Sequence, residues 1–331
     1  MDGAVGMILA AGLGTRLRPL TDLLPKPAVP VAGVPLVQHA FGRMRDAGIR
    51  RVVVNTHHLA GEMARVAAAA AQATGLELSL SHEPVIAGTG GALREARRFL
   101  SGAEAIVLWN GDVLFDIDLG GVVEAHRRSG ALATMVLAPM PPGAAFATVD
   151  VDGAMVVRRI AGLGPGGDGL LPLHFTGVHV LSPAILEHVP ERPHACDVNR
   201  QVHVPLLPSG RVRGVVTGGY WNDLGTPERY LRANLDLLAR LGDQILRDGS
   251  ASVDPEARLA GPAIIGRDAV VLAGAAIGPG TVLGEGSRVG RGAQVESAVV
   301  WPGTVVAPGE RVVQAVAAGS LRVPAGPAAG G

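Results

Sequence analysis

Apolar and polar positions alternate in blocks along the first 240 residues, each block short and bounded by glycine, proline or charge. Val5–Leu9 is a continuous apolar run that ends in glycine, the form of a strand buried on both faces. Leu36–Ala47 carries apolar residues at helical spacing, Arg51–Asn55 reads as a strand, Leu59–Ala73 as an alanine-rich helix and Leu76–Leu80 as a strand. A helix is predicted over Thr89–Leu100, opened by Gly88-Thr-Gly-Gly, then a strand over Ala105–Trp109, a helix over Leu119–Arg128 and a strand over Ala131–Leu137. Further strands are expected near 146–160 and 173–181, with a helix from Pro183. Strands alternating with helices predict an α/β fold, a Rossmann-like, mostly parallel sheet with helices on both faces.

From Val253 the period becomes six. Val253, Leu259, Ile265, Val271, Ile277, Leu283, Val289, Val295, Trp301, Ala307 and Val313 recur at that interval, mostly aliphatic, and small residues such as Ala263, Ala269, Ala275 and Ala293 stand four places after an aliphatic one. Hexapeptide repeats stack short strands into a triangular parallel β-helix, the aliphatic residue filling the interior and the small one fitting the corner. The expected organisation is an α/β domain over 1–240, a linker over 241–252, a β-helix over 253–315 and a disordered tail over 316–331.

Composition narrows the function. The 331 residues are 48% hydrophobic and 18% charged, enough to build cores without staples, and the single cysteine, Cys196, cannot form an internal bridge. No run approaches the roughly 20 apolar residues of a membrane span and no basic leader precedes an apolar stretch, so the expectation is a cytoplasmic protein without membrane association. Basic and acidic residues balance at 29 each, which leaves no field to hold a nucleic-acid backbone. Among the 29 basic residues the only lysine is Lys26, inside Pro25-Lys-Pro27. An ammonium is a compact point charge where a guanidinium is a planar fork, so this position is one that arginine would not serve.

The sharpest local signal is the segment Leu9-Ala10-Ala11-Gly12-Leu13-Gly14-Thr15-Arg16-Leu-Arg-Pro-Leu-Thr21. A glycine loop after the first strand lets backbone N–H groups reach phosphate oxygens. The dinucleotide fingerprint fails because Leu17 stands where its third glycine belongs, and Gly-Lys of the Walker pattern is absent from the chain. What remains is a loop with a forked cation at Arg16 and a point charge at Lys26, suited to a triphosphate. Arg18 reads as a loop-bracing or solvated residue, Asp116 and Asp118 as loop or cap residues, and the histidines, His57-His58 included, as structural.

These segments resemble the sugar-1-phosphate nucleotidyltransferases, with the wording closest to the mannose-1-phosphate guanylyltransferases. The resemblance runs through the glycine loop with Pro-Lys-Pro, Gly88-Thr-Gly-Gly-Ala-Leu93, Asn110-Gly-Asp112, Phe175-Thr-Gly177 and Trp221-Asn-Asp-Leu-Gly-Thr-Pro227. It implies transfer of a nucleotidyl group from a nucleoside triphosphate to a sugar-1-phosphate, with pyrophosphate released. GTP with mannose-1-phosphate leads; UTP or dTTP with N-acetylmuramic acid 1-phosphate or glucose-1-phosphate follows. It also implies that Arg16 and Lys26 act on the phosphates, that Asp112 and Asp223 ligate Mg²⁺, and that Leu9, Ala10, Ala11, Gly12, Gly14, Thr15, Gly88, Thr89 and Gly90 hold the nucleotide. Gly177 and Asn110 are expected at the sugar phosphate. Where many members have Glu-x-Lys-Pro the chain has Val157-Arg-Arg-Ile-Ala161, and Arg159 is expected to replace the missing charge. A non-catalytic regulatory subunit is the alternative, disfavoured by the presence of Arg16, Lys26, Asp112 and Asp223. No histidine follows His203, so the coil domain is expected to be structural or to join copies into a homo-oligomer rather than to transfer acyl groups.

Overall fold

Buried apolar strands organise the N-terminal half, as their composition requires. The computed structural model describes residues 3–140 and 146–326, which divide into two compact units. One comprises residues up to Leu13 and Val37–Trp221; the other comprises Gly14–Leu36 and Asn222 onward.

The first unit is built on a nine-stranded sheet. In chain order its strands are β1 (Ala4–Leu9), β2 (Arg51–Thr56), β3 (Glu77–His82), β4 (Ala105–Asn110), β5 (Ala133–Ala138), β6 (Thr148–Val151), β7 (Val157–Ile160), β8 (Leu171–Leu181) and β9 (Val212–Val216). Strands β3, β2, β1 and β4 lie side by side, all parallel. β8 runs antiparallel to β4 and pairs with both β5 and β6. Successive strands step to one side of β1 and then to the other, so the order reverses between β1 and β4. In open α/β sheets that reversal leaves a crevice at the carboxyl ends of the strands, where ligands bind.

Helices α1 (Leu36–Asp46), α2 (Ala60–Thr74), α3 (Gly88–Glu95) and α4 (Leu119–Ser129) follow the expected blocks. α2 stops at Gly75, whose left-handed backbone (φ +70) turns its N–H onto the carbonyls of Ala71 and Gln72. The helix expected over Thr89–Leu100 is two pieces: α3 ends at Glu95, and after Ala96 only the turn Arg97–Leu100 follows. The segment from Pro183 is a 3₁₀ turn, Pro183–His188, rather than an α-helix. β9 lies outside every expected element.

In the second unit three sheets of short parallel strands fit a left-handed β-helix. Early coils pair residues 18 apart, as Val253 opposite Val271 and Ile265 opposite Leu283. Later coils pair residues 17 apart: Leu283 opposite Val300, Val289 opposite Val306 and Val295 opposite Val312. The corner Gly278-Pro279-Gly280 is followed one coil later by the shorter Glu296-Ser297, with Ser297 left-handed at φ 47. From there the expected interior positions are wrong by one. Val300, Val306 and Val312 fill the coil, while Ala307 and Val313 face solvent and Trp301 is buried elsewhere.

The ends of the coil domain also differ from expectation. Ile245–Arg247, within the segment expected as linker, already pairs with Ala263–Ile265. Part of the segment expected as a disordered tail is a hairpin, Ala315–Ala318 against Leu321–Pro324, which extends the sheet of the last coil. Residues 327–331 of that tail lie outside the described residues.

The same unit contains a helix α5 (Pro227–Ala239), capped by Thr226, whose hydroxyl accepts from the Arg229 amide. No helix among the described residues is long and apolar enough to cross a membrane.

Candidate active site

In the first unit the carboxyl ends of β1 and β4 place the glycine loop beside Asn110-Gly-Asp112. Leu9 is the register partner of Asn110, and the Gly111 N–H donates to the Leu9 carbonyl at 3.0 Å. Half-buried Asp112 stands immediately beyond β4, at the crevice. Gly12 is exposed, and a Cβ there would meet nothing within 4 Å, so packing does not demand glycine. A bare backbone at that point suits close approach by a ligand.

Beneath the loop lies a buried polar chain that sequence reasoning missed. The Ala10 N–H donates to Asn55 Oδ1 at 2.5 Å, Asn55 Nδ2 donates to Glu83 Oε1 at 2.7 Å, and Glu83 Oε2 accepts from the Ala87 N–H at 2.9 Å. Asn55 and Glu83 are 3% and 1% exposed, so each lost partner would strand a buried polar group. The chain ties the end of β1 to the residue preceding α3. Its only signal in the sequence was a polar Asn directly after the apolar run Val52–Val54. His57 belongs to the same support, its Nδ1 lying 2.8 Å from the Glu83 carbonyl oxygen.

In the Gly88-Thr-Gly-Gly segment, expected to hold the nucleotide, the polar groups are engaged within the protein. The N–H groups of Gly90 and Gly91 both donate to the Cys196 carbonyl, at 2.8 and 3.2 Å. The Thr89 hydroxyl accepts from the Val198 N–H at 2.8 Å. A Cβ on Gly88 (φ +74) would come within 2.6 Å of the Cys196 carbonyl oxygen, and one on Gly90 within 2.8 Å of its sulfur. Here the glycines answer to close packing against residues 194–198. Burial pushes the Cys196 thiol pKa up, which disfavours the thiolate, the nucleophilic form.

Gly177 (φ +88) sits in β8 where the pairing with β5 shifts register between Phe175 and His179. A Cβ there would lie 3.0 Å from Asn110 Nδ2, so the two expected sugar-phosphate residues do adjoin. Beside this bulge is a cavity of about 550 Å³ lined by Phe146, Thr148, Phe175, Asp197 and Arg200, among others. Arg159 is not in that lining; it faces Asp150 across β6 and β7, its Nε 3.3 Å from Asp150 Oδ2. The charge expected to replace the missing lysine is thus paired within the sheet.

The second unit holds Gly14, Thr15, Arg16, Lys26 and Asp223. Gly14 is left-handed (φ +62) and packs so that a Cβ would meet the Thr21 methyl at 2.8 Å and Lys26 Cβ at 3.3 Å. Thr21, fully buried, donates its hydroxyl to the Gly14 carbonyl at 2.9 Å, closing the loop that carries Thr15 and exposed Arg16. Lys26 is only 7% exposed, unusual for lysine and in keeping with its singular place in the composition. Arg16 Nη1 and Asp223 Oδ2 both border Gly225, at 3.2 and 3.3 Å from where its Cβ would be. Arg229 pairs with the other Asp223 oxygen, Oδ1. Arg18 reaches out to Asp22 at 3.1 Å, both exposed, as a bracing residue would. Asp118 caps α4 through the Gly121 amide, and Asp116 pairs with Arg43.

No group of three or more His, Cys, Asp or Glu side chains placed to hold a metal ion occurs among the described residues. Magnesium usually takes one or two protein carboxylates with water and substrate phosphates completing its shell, so a cluster of carboxylates is not required to hold it and aspartates such as Asp112 and Asp223 are the ligand type that suits it.

A family model described as nucleotidyl transferase matches residues 5–240. The mannose-1-phosphate guanylyltransferase of Mycobacterium tuberculosis is 32% identical over 280 residues, 81% of this chain and 76% of that protein. The mannose-1-phosphate guanylyltransferase catalytic subunit beta of Drosophila pseudoobscura pseudoobscura is 28% identical over 237 residues, covering 70% of this chain and 61% of that one. The crystal structure of HddC from Yersinia pseudotuberculosis matches with a TM-score of 0.58 at 24% identity, over 70% of this chain and 99% of that one, a likeness of fold. With the glycine loop and Asn110-Gly-Asp112 side by side at the sheet's reversal point, the chain belongs to the nucleotidyl transferase family, the sugar-1-phosphate nucleotidyltransferases that its motifs resemble.

Proposed function

We propose that the chain transfers the guanylyl group of GTP to mannose-1-phosphate, giving GDP-mannose and pyrophosphate. The observation that carries this reading is the 32% identity, over 81% of the chain, to a mannose-1-phosphate guanylyltransferase. The placement of the motif residues at the sheet's reversal point supports it.

A sugar-1-phosphate has a second pKa near ~6, so its attacking oxygen is already ionised at neutral pH and no general base is needed. That oxygen forms a bond to the α-phosphorus as the bond to the bridging oxygen breaks, and the electron pair leaves with pyrophosphate. The protein's part is alignment and charge neutralisation. The bare backbone at Gly12, with Leu9, Ala10, Ala11, Gly14 and Thr15, would receive the nucleotide. Arg16 would fork onto its phosphates, and Lys26 would hold the reacting phosphates with a point charge. Asn110 and the Gly177 backbone would orient the sugar phosphate. Enzymes of this family generally use a divalent metal. We assign Mg²⁺ here, with Asp112 and Asp223 each as a ligand; when bound it supplies neutralisation of the phosphate charge. Cytoplasmic location and assembly into a homo-oligomer complete the reading, the latter checked by light scattering on the full chain.

The test is pyrophosphate release with Mg²⁺ over GTP, UTP, dTTP, ATP and CTP crossed with mannose-, glucose-, N-acetylglucosamine- and N-acetylmuramic acid 1-phosphates. GTP with mannose-1-phosphate should exceed every other pair. A stronger pyrimidine pair would refute the substrates, and silence of the folded protein over the whole panel would refute the activity.

A further inference from the structure

The shortened corner at Ser297 has a local product. Val300 takes the interior position, and the next residue, Trp301, is turned away from the coil interior yet stays only 4% exposed. Its indole N–H donates to the Tyr230 hydroxyl at 2.9 Å, and that hydroxyl donates to the Pro30 carbonyl. One turn further along α5, Asn234 Oδ1 accepts from the Ala32 N–H at 2.8 Å while its Nδ2 donates to the Tyr230 carbonyl at 2.9 Å. Two neighbouring positions of one helix face therefore grip residues 30–32. Those residues are separated from the buried turn Lys26–Ala28 only by Val29.

The direction of the relay is fixed by chemistry. Tyr230 is fully buried, and burial pushes its phenol pKa up, so it keeps its proton. With one hydrogen given to Pro30, its lone pairs need a donor, and Trp301 supplies it; indole can only donate. Tyr230 also follows Arg229, whose guanidinium meets Asp223, so the same helix bears on both ends of the unit's phosphate-facing residues.

We propose that Trp301 is a positioning residue for nucleotidyl transfer, its N–H fixing Tyr230 and, through Pro30, the segment that presents Lys26. The proposal rests on the reading of Lys26 as the cation on the reacting phosphates. The coil domain thereby contributes to the chemistry without touching substrate.

The test is a double-mutant cycle on the full chain, read as pyrophosphate release under steady state. Trp301→Phe keeps a ring and deletes the donor. It should lower kcat about tenfold with the KM for GTP within about twofold, since a small misplacement of a phosphate-facing charge acts on the reacting geometry. In a Lys26→Ala background the same change should lower kcat by less than about twofold, because coupled residues are not additive. Wild-type kcat in Trp301→Phe, or an equal tenfold loss in both backgrounds, overturns the positioning role; the latter is what general loosening of the fold would give. If Trp301→Phe does not yield folded protein, Tyr230→Phe, which removes the contact to Pro30 itself, goes through the same cycle with the same criteria. Full kcat in Lys26→Ala with Trp301 intact would overturn the reading of the site, and the positioning role with it, and is recognisable because Trp301 is untouched.

Discussion

Two histidines in the first unit make its stability fall on the acid side of neutrality. His179 and His203 are both buried, with ring centroids 4.9 Å apart. His179 Nδ1 and His203 Nε2 have no hydrogen-bond partner among the described residues. Burial pushes the His203 pKa down to about 4, and burial together with the charge of His203 pushes His179 well below its ordinary value. In the unfolded chain both rings titrate near ~6.5. Between those values the unfolded chain takes up protons that the folded protein refuses. Stability from each ring is therefore complete above pH ~6.5 and is lost as pH falls towards the folded pKa. At pH 5 the loss is about 2 kcal/mol for His203, rising to about 3 kcal/mol near pH 4. His179 adds a loss of the same sign. A total of roughly 5–15 kcal/mol is usual for a whole domain, so the effect is large.

The assay is urea unfolding at pH 7.5 and pH 5.0, a window above the range in which ordinary carboxylates titrate. His203→Phe keeps a ring and removes the titration. It should shrink the difference in unfolding free energy between the two pH values by about 2 kcal/mol relative to wild type. The comparison reads the pH difference, so the loss of the contact from His203 Nδ1 to Asn199 Oδ1 drops out. A pH difference unchanged by the substitution would refute the reasoning.

Other outcomes follow from the packing and the site. Gly90→Ala should destabilise by about 1–3 kcal/mol in thermal unfolding, and Cys196→Ala should recover part of that, because the nearest obstacle is the Cys196 sulfur. Gly88→Ala should lose about as much without recovery, because its obstacle is backbone. Val306→Ala should cost about 2 kcal/mol in the coil domain while Ala307→Ser changes stability by less than about 0.5 kcal/mol; the reverse order would show that the period of six continues past Val295. Lys26→Arg should lose at least about 100-fold in kcat while remaining folded by circular dichroism, and wild-type turnover would remove the demand for a compact cation.

The parts of the fold legible in the sequence were those set by local periodicity. Val5–Leu9 and Ala105–Trp109 are apolar throughout because both faces of a central parallel strand are covered, and they lie at the centre of the sheet. The repeat from Val253 was equally plain until Ser297. One residue omitted from a corner leaves no mark on composition, and the pairing of Leu283 with Val300 reveals it. In the site, the motif residues Asn110 and Asp112 could be placed from the strand they end. Asn55 and Glu83 could not, because their importance comes from partners 45 and 28 residues away in the chain. The glycines of 88–91 were legible as glycines but not in purpose: bare backbone serves a ligand or a tight contact alike, and here residues 194–198 occupy it.

The division of the chain has a consequence during synthesis. Lys26 and its flanking turn leave the ribosome early, but Tyr230 and Asn234, which fasten Pro30 and Ala32, are 200 and 202 residues later. Trp301 comes later still. At about 5–20 residues per second the segment waits on the order of 10–40 s before its anchors exist. The sheet unit's strands, by contrast, are complete once β9 has emerged. A nascent chain halted before residue 227 would thus carry every strand of that sheet but neither the Tyr230 nor the Asn234 contact to residues 30–32, so a segment made some 200 residues later governs when the earlier signature segment is set.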